Sequence, residues 1–561
     1  MAGFIQAVAV DLDGTIAQGD AVNPDVLAAL DDCRAAGTAT VLVTGRIESE
    51  LESDFPGLLD RFDVAVLENG ALLSVGERRT ALGHIDPLLA AHLQGRVPSI
   101  RQGVAILACG LSDLPAVLAA IDLLGLDAQL VHNRSELMVL PSGVSKGTGI
   151  RAALAEVGVS PHNCIAIGDA ENDLSMLAAA QIAVAAPGAV PSVVRSADIV
   201  LSGADGDGVV DFLRGPVVSG AQPVRAARHD VRIGTGTDGG PVTVPGAQAG
   251  ILVCGGSGSG KSHLTGLLVE RWIDAGYTVL VIDPEGDHAA LASLHETVVI
   301  EASETQAGDS LLGLLGHQSV SVVLDLSRLS RSAAISYLAT IAPGVESLRA
   351  RSGLPHWVVI DEAHGVLSDD TTLASVFRPN SGGYCYVTYH PEMLCAAAKT
   401  TVDITLTALG PPSDAGVGGA SASIRIDGRS EVFFVPDARA TRHVRHRNKY
   451  RDIALPEHLR FRFRDSSGRE MASAKSVSEF VDRLSSVADD SIVHHALRGD
   501  FSRWAVGAVQ DRALGSLLAA IENEYAVKMT IAANGFRQSA EHAVAQRYGL
   551  DDEGASADGP L

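Results

Sequence analysis

Two carboxylates stand two residues apart at the end of an apolar run: Asp11 and Asp13 in "VAVDLDGT". Open α/β sheets place their ligands at the carboxyl ends of their strands, which is where this run puts them. Asp11 can attack phosphorus there and form an aspartyl-phosphate, while Asp13 can protonate the leaving oxygen and later activate water. Three further motifs follow in order. "VLVTGR" supplies Thr44, a hydroxyl donor for phosphoryl oxygens, and Arg46, a positive charge nearby. "GVSKGTGI" supplies Lys146, a cation that offsets the charge of phosphate and nucleophile together. "IAIGDAENDLSML" places Asp169 just after a strand and Asp173 at a helix start. That pair suits Mg2+, which binds through one or two carboxylates plus substrate oxygen and water.

A second set begins near the middle of the chain. In "CGGSGSGKSHL", Gly255, Gly260, Lys261 and Ser262 fit G-x-x-x-x-G-K-[ST]. The apolar run "AGILVC" precedes the loop and a helical pattern follows it, which is the context this motif requires. The backbone from Gly255 through Gly256, Ser257, Gly258, Ser259 and Gly260 to His263 can cradle the phosphates of ATP. Lys261 would reach the β- and γ-phosphates and Ser262 would ligate Mg2+. In "HWVVIDEAH", Asp361 would hold Mg2+ and Glu362 would polarise the attacking water. The two motifs together point to hydrolysis; a loop that binds nucleotide without turnover is the alternative. Asp283, Glu285 and Asp287 fall beside the expected nucleotide site, and Thr388 and His390 fall where a γ-phosphate sensor would lie.

The elements that must position these residues are legible as short apolar runs alternating with helical patterns. The fold class is α/β, with two doubly wound parallel-sheet domains and a small C-terminal helical domain. Residues 1–213 read as the first domain, with an α+β cap at about 80–141. Residues 214–250, rich in Gly, Pro, Thr and Val, read as a linker and small β element. Residues 251–436 read as the nucleotide domain, 437–470 as a basic connector, 471–549 as amphipathic helices and 550–561 as a disordered tail. Of the 561 residues, 46% are hydrophobic and only 4% aromatic, so Ala, Val, Leu and Ile must build the cores.

The first region resembles the haloacid dehalogenase superfamily through "DLDGT", "VTGR", "SKG" and "GDAENDL". The insert after Thr44, preceded by "LENGA", is similar to the cap of the subclass that includes sugar-phosphate and phosphoglycolate phosphatases. This resemblance implies Asp11 as nucleophile and Asp13 as acid/base. It also implies Mg2+ held by Asp11, the Asp13 carbonyl and Asp169, with Asn172 and Asp173 in support. The substrate class is then a small phosphorylated metabolite. The second region, with "RIGTGTDGGPVTVPG" ahead of the loop, resembles translocase-like ATPases of the HerA and FtsK group. That resemblance implies a homo-oligomer, typically a hexamer, with an arginine supplied by the neighbour. Arg378, Arg425 and Arg429 are candidates. Pore loops that grip DNA are not recognisable.

The net charge of −24 argues against a chain coated in nucleic acid. The stretch "RATRHVRHRNKYRD" is a local exception, with Arg439, Arg442, Arg445, Arg447, Lys449 and Arg451 against Asp452. One reading is a nucleic-acid surface. The other, favoured because Tyr450 is the only aromatic nearby, is a linker docking on acidic protein. His494 and His495 show no matching ligand set, and Trp504 reads as a core anchor. Six scattered Cys without a CxxC pair suit a reducing compartment. The start lacks a signal-peptide pattern, and no run of about 18 apolar residues occurs. The expected location is therefore cytoplasmic, with no membrane contact. The primary reading is a phosphatase joined to an ATPase. The alternative is a nucleic-acid motor or regulator in which the phosphatase domain senses or processes ends.

Overall fold

The computed structural model describes residues 3–548, except 20, 134–135, 204–205, 257–258, 304–307, 368–372, 374–381, 411–419, 442–454, 456, 510 and 529–532. The chain forms two compact units. One comprises Met1–Gly255, Lys261–Pro284 and Leu291–Arg442; the other comprises Gly256–Gly260, Glu285–Ala290 and His443–Leu561.

Within the first unit, strand Ala7–Asp11 is buried along its whole length. Fully apolar runs of this kind form the centre of parallel sheets covered on both faces. It lies between Cys164–Gly168 and Ala39–Val43 in an eight-stranded sheet. The register pairs Val10 with Ile167 and Asp11 with Val43. Asp11 therefore emerges beside Thr44 on one side and beside Asp169 on the other. Separate apolar clusters cover the two faces, one around Val8, Val10 and Ile165, the other around Ala9, Val41 and Ile150. The edge strands Leu72–Val75 and Arg78–Ala81 run antiparallel, so the sheet is mixed rather than wholly parallel.

A four-stranded antiparallel sheet, Gln129–Asn133, Glu136–Leu140, Leu107–Gly110 and Arg101–Gln102, forms the cap. Strand alternation gives it two faces. Leu107, Cys109, Leu137 and Val139 pack on cap helices Pro87–Leu93 and Leu114–Leu124. Ala108, Met138 and Leu140 face the other way, in a cluster with Ile47, Ala71 and Val144.

The second sheet has eleven strands, and Gly250–Gly255 lies at its centre between Tyr384–Thr388 and Ile404–Ala408. The hairpin Val231–Gly236 and Pro241–Val244, set apart as a linker element on sequence grounds, belongs to this sheet. It pairs antiparallel with Val432–Pro436. No described helix is long and apolar enough to cross a membrane.

The second unit carries a hairpin, Phe461–Arg464 with Glu470–Ala474, and five helices between Val477 and Tyr548. The hairpin lies in what reads as a basic connector, but Phe461 and Phe463 join Phe480, Phe501 and Trp504 in one core. Trp504 anchors this core, its indole N–H donating to the Leu459 carbonyl at 3.0 Å. His495 is a packed residue: it accepts the Arg464 N–H at 2.8 Å and sits 2.7 Å from Asp500. Burial pushes its pKa below the ordinary value. Arg442, Arg445, Arg447, Lys449, Tyr450, Arg451 and Asp452 lie outside the described residues.

Candidate active sites

The first site is assembled around a buried lysine. Helix Lys146–Glu156 opens with a capping box between Ser145 and Thr148, which fixes Lys146 in the first turn. The entry is tight: a Cβ on Gly70, at φ +104°, would lie 2.0 Å from the Ser145 carbonyl oxygen. Lys146 Nζ donates to Asp11 Oδ1 and to Asp173 Oδ1, each at 2.5 Å. All three side chains are buried. Burial opposes the ammonium charge, but Asp11 and Asp173 outweigh it and hold the Lys146 pKa above the ordinary range. Burial, then Asp173, pushes the Asp11 carboxyl up, and Lys146 offsets part of that.

Asp173 Oδ2 accepts the backbone N–H groups of Asp169 and Ala170, at 2.9 and 3.0 Å. Oxygens of Asp11, Asp169 and Asp173 all lie within 4.8 Å of one another. Three converging carboxylates form a hard oxygen donor set, which fits Mg2+. Thr44 is buried, and its hydroxyl accepts the Arg46 N–H at 3.2 Å. Arg46 does not stand apart as a phosphate ligand. Its guanidinium clasps Asp13, with Nε and Nη2 at 2.9 and 2.7 Å, and reaches Asp54 at 2.6 Å. Asn172 donates its amide to Asn69 at 3.2 Å.

The second site begins with Lys261, whose Nζ donates to the Gly255 carbonyl at 3.2 Å and lies 5.7 Å from the Tyr389 ring. Ser262 follows in the first turn of helix Lys261–Asp274. The His263 ring faces the Asp437 carbonyl at 3.2 Å. Within the other unit, Gly260 takes φ +108°, a conformation that glycine alone adopts without strain, and the Ser259 N–H donates to Gly256 at 3.3 Å. Ser257 and Gly258 lie outside the described residues, as does Arg378. Arg425 and Arg429 are exposed.

Asp361 follows strand Trp357–Ile360 and is buried, and its Oδ1 accepts the Glu362 N–H at 2.8 Å. Glu362 adopts φ 46°, ψ 44° and caps a short helix, Ala363–Val366. A non-glycine residue held there costs about 1–3 kcal/mol, a strain that clusters at functional positions. Asp283 ends the neighbouring strand and is buried. Thr388 ends strand Tyr384–Thr388, fully buried, and its hydroxyl accepts the His390 N–H at 2.9 Å.

A family model described as haloacid dehalogenase-like hydrolase matches residues 129–213, and one described as the central domain of the helicase HerA matches residues 248–343. The chain thus carries a region that matches haloacid dehalogenase-like hydrolases, followed by one that matches the HerA central domain. A phosphoglycolate phosphatase of Methanothermobacter thermautotrophicus is 29% identical over 217 residues, 37% of this chain and 98% of that protein. Another, from Sulfurisphaera tokodaii, is 41% identical over 90 residues, 16% of this chain and 38% of that protein. A solved haloacid dehalogenase-like hydrolase from Bacteroides thetaiotaomicron covers 37% of this chain and 98% of its own, at 19% identity and TM-score 0.32.

Two residues of the haloacid dehalogenase-like domain escape sequence reading. Glu68 is fully buried, and its two oxygens each accept a backbone N–H, from Val104 and Ala105, at 2.8 Å. It ties the root of the cap to the core domain. Met138 lies over the Thr44–Arg46 turn, where a Cβ on Gly45 would be 2.8 Å from its terminal methyl. The "LENGA" stretch flags Glu68, but nothing local flags its partners. In the HerA domain, Glu270 is missed. It is buried on the helix after the loop and accepts hydrogen bonds from Arg439, Ala440 and Thr441. That pairing pins Arg439, the first cation of the basic stretch, inside the protein.

Proposed function

We propose that the first domain is a Mg2+-dependent phosphatase of small phosphomonoesters, of phosphoglycolate type, and that the second binds and hydrolyses ATP. The observation that carries the first half is Lys146, buried between Asp11 and Asp173 beside a third carboxylate. An Asp11 oxygen attacks phosphorus, the bond from phosphorus to the leaving oxygen breaks, and Asp13 gives that oxygen its proton. Water then attacks the aspartyl-phosphate, Asp13 takes its proton, and the Asp11 carboxylate and inorganic phosphate separate. Lys146 compensates the charge of the attacking carboxylate and holds it in line. Asp11, Asp169 and the Asp13 carbonyl would hold Mg2+, with Asp173 in support, and the ion would neutralise phosphoryl charge. Arg46 orients Asp13, and Thr44 offers its hydroxyl to the phosphoryl group. The apolar cap underside, with Met138 above the Thr44 turn, favours a small leaving group. Resemblance to phosphoglycolate phosphatases over 98% of one relative supports that class.

In the second domain, Lys261 would engage the phosphates, Ser262 and Asp361 would hold Mg2+, and Glu362 would polarise water. An oligomer that places Arg425 or Arg429 at a neighbour's nucleotide fits the exposure of both side chains. A second reading, a nucleic-acid motor or regulator, is favoured by the HerA match, whose description names a helicase. ATP turnover that rises severalfold on adding DNA or RNA supports it. The test of the primary reading is a metabolite-phosphate screen with Mg2+, in wild type and Asp11→Asn. Equal phosphatase rates in the two proteins refute it.

A further inference from the structure

His364 lies two residues after Glu362, in the one-turn helix that follows the strained turn. Its Nδ1 is 3.1 Å from Thr388 Oγ1 and 3.5 Å from Glu362 Oε2. The same threonine hydroxyl accepts the His390 N–H. The His364 ring is fixed from the side by Tyr389, edge to face at 4.6 Å, and Tyr389 in turn lies over Lys261 at 5.7 Å. One imidazole thus stands between the carboxylate proposed to polarise water and the end of the adjacent strand that borders the loop strand.

We propose that His364 is a positioning residue for ATP hydrolysis: its Nδ1–H aims the Glu362 carboxylate and ties it to Thr388 at the end of the neighbouring strand. This rests on the ATPase reading of the second domain. A hydrogen on Nδ1 would face two oxygens, Thr388 Oγ1 within hydrogen-bond distance and Glu362 Oε2 at the longer 3.5 Å. Glu362 hangs on a left-handed turn, whose backbone sets where the side chain starts but not where its carboxylate points. A contact beyond the turn helps hold the carboxylate against rotation about its own side-chain bonds, and His364 is one side chain placed to give it. The link to Thr388 makes the aim of Glu362 depend on the strand Tyr384–Thr388, so a shift at that strand end would move the carboxylate. Burial, then His390 and Arg331, lowers the His364 pKa and favours the neutral ring.

Full-length protein would be assayed for ATP turnover and for binding of a fluorescent ATP analogue with Mg2+. Phe at position 364 keeps the ring packing against Tyr389 and removes the N–H; Asn keeps an N–H near the place of Nδ1. For His364→Phe we expect kcat to fall about 10- to 100-fold, in the range of a lost general-base contribution, with KM and analogue affinity within about threefold. His364→Asn should recover at least part of that loss. Adding His364→Phe to Glu362→Gln should cost nothing further, because the histidine acts through the glutamate. Wild-type kcat in His364→Phe, or a loss that multiplies with that of Glu362→Gln, overturns the proposal. If His364→Phe does not fold, Thr388→Val makes the same test from the other side of the contact, and an unchanged kcat there overturns it. Failure of the ATPase reading has a separate signature: Glu362→Gln would turn over ATP as fast as wild type.

Discussion

His162 stacks on Tyr277, ring centroids 3.8 Å apart and planes inclined by 24°. One residue precedes a strand of the haloacid dehalogenase-like domain, Cys164–Gly168, and the other precedes a strand of the HerA domain, Val279–Asp283. Around them the same pattern holds. His162 Nε2 donates to the Ala275 carbonyl at 2.9 Å, Tyr277 donates to Gln181 at 2.9 Å, and Arg228 pairs with Asp198 at 3.0 Å. Asp198 and Gln181 each sit just before a strand of the first sheet. The two sheets therefore meet at their amino-terminal strand ends, and each keeps its carboxyl ends, with its candidate site, on the far side.

That junction should make the molecule acid-labile. Burial, then His229, pushes the His162 pKa down to about 4 from 6.5. Burial likewise lowers His229 and His356, the latter also facing His162 and Arg349. A histidine held low binds its proton less readily folded than unfolded, so its share of stability is present above pH 6.5 and drains away towards pH 4. By pH 5 the loss from His162 alone is roughly 2 kcal/mol. Urea midpoints measured from pH 7.5 to 5 should fall, and His162→Gln should flatten the slope. An identical slope in the variant would refute the assignment.

Asp11→Asn should leave less than about one-thousandth of the phosphatase activity, since an amide cannot open the covalent route. Lys146→Ala should cost at least about a hundredfold, because the nucleophile loses its preorganised counter-charge. ATP turnover should be untouched in both. Wild-type kcat in Lys146→Ala would remove the lysine from the mechanism.

The first cluster was legible in sequence because three of its motifs close buried, neighbouring parallel strands, which bring Asp11, Thr44 and Asp169 to one sheet end, while Asp173 reaches it from a helical turn and Lys146 from the start of a helix. What was not legible is which charges pair. Arg46 finds Asp13 and Asp54 rather than standing free for phosphate, and nothing in "VTGR" encodes that choice. The hairpin at 231–244 reads as a linker because its glycines interrupt any apolar period. Its true partner, Val432–Pro436, lies about two hundred residues away. In "DEAH" the carboxylates were visible, but the role of His364 depends on Thr388, in a different strand.

Glu68 offers a test of the cap. Glu68→Ala strands two backbone N–H groups that now donate to its carboxylate, at an expected cost of about 2–3 kcal/mol. The cap should lose its seat over Thr44, so kcat/KM for small phosphomonoesters should fall while ATP binding stays as in wild type. Limited proteolysis should then cut between Leu82 and Pro141 sooner than in wild type. Unchanged kinetics and unchanged cleavage would show that Glu68 does not anchor the cap.

Whether nucleotide controls the phosphatase follows from the same junction. The strands Ala7–Asp11 and Gly250–Gly255 have five and six residues, which at about 3.3 Å each keeps the two sites roughly 30 Å or more apart. The contact between them is made of buried rings and backbone carbonyls at strand beginnings, and the loop and Glu362 lie at strand ends. Close-packed strand starts leave little room for a second arrangement that nucleotide could select. ATP, with phosphatase substrate saturating, should therefore change phosphatase turnover by less than about twofold in wild type, in Lys261→Ala and in Glu362→Gln. Lys261→Ala should lose ATP binding or turnover, and Glu362→Gln should bind ATP without hydrolysing it. Suppose instead that ATP shifts phosphatase turnover severalfold in wild type and in Glu362→Gln, but not in Lys261→Ala. Occupancy of the second site would then govern the first, and the junction at His162 and Tyr277 would have to move. Loss of that shift in His162→Ala would locate the path.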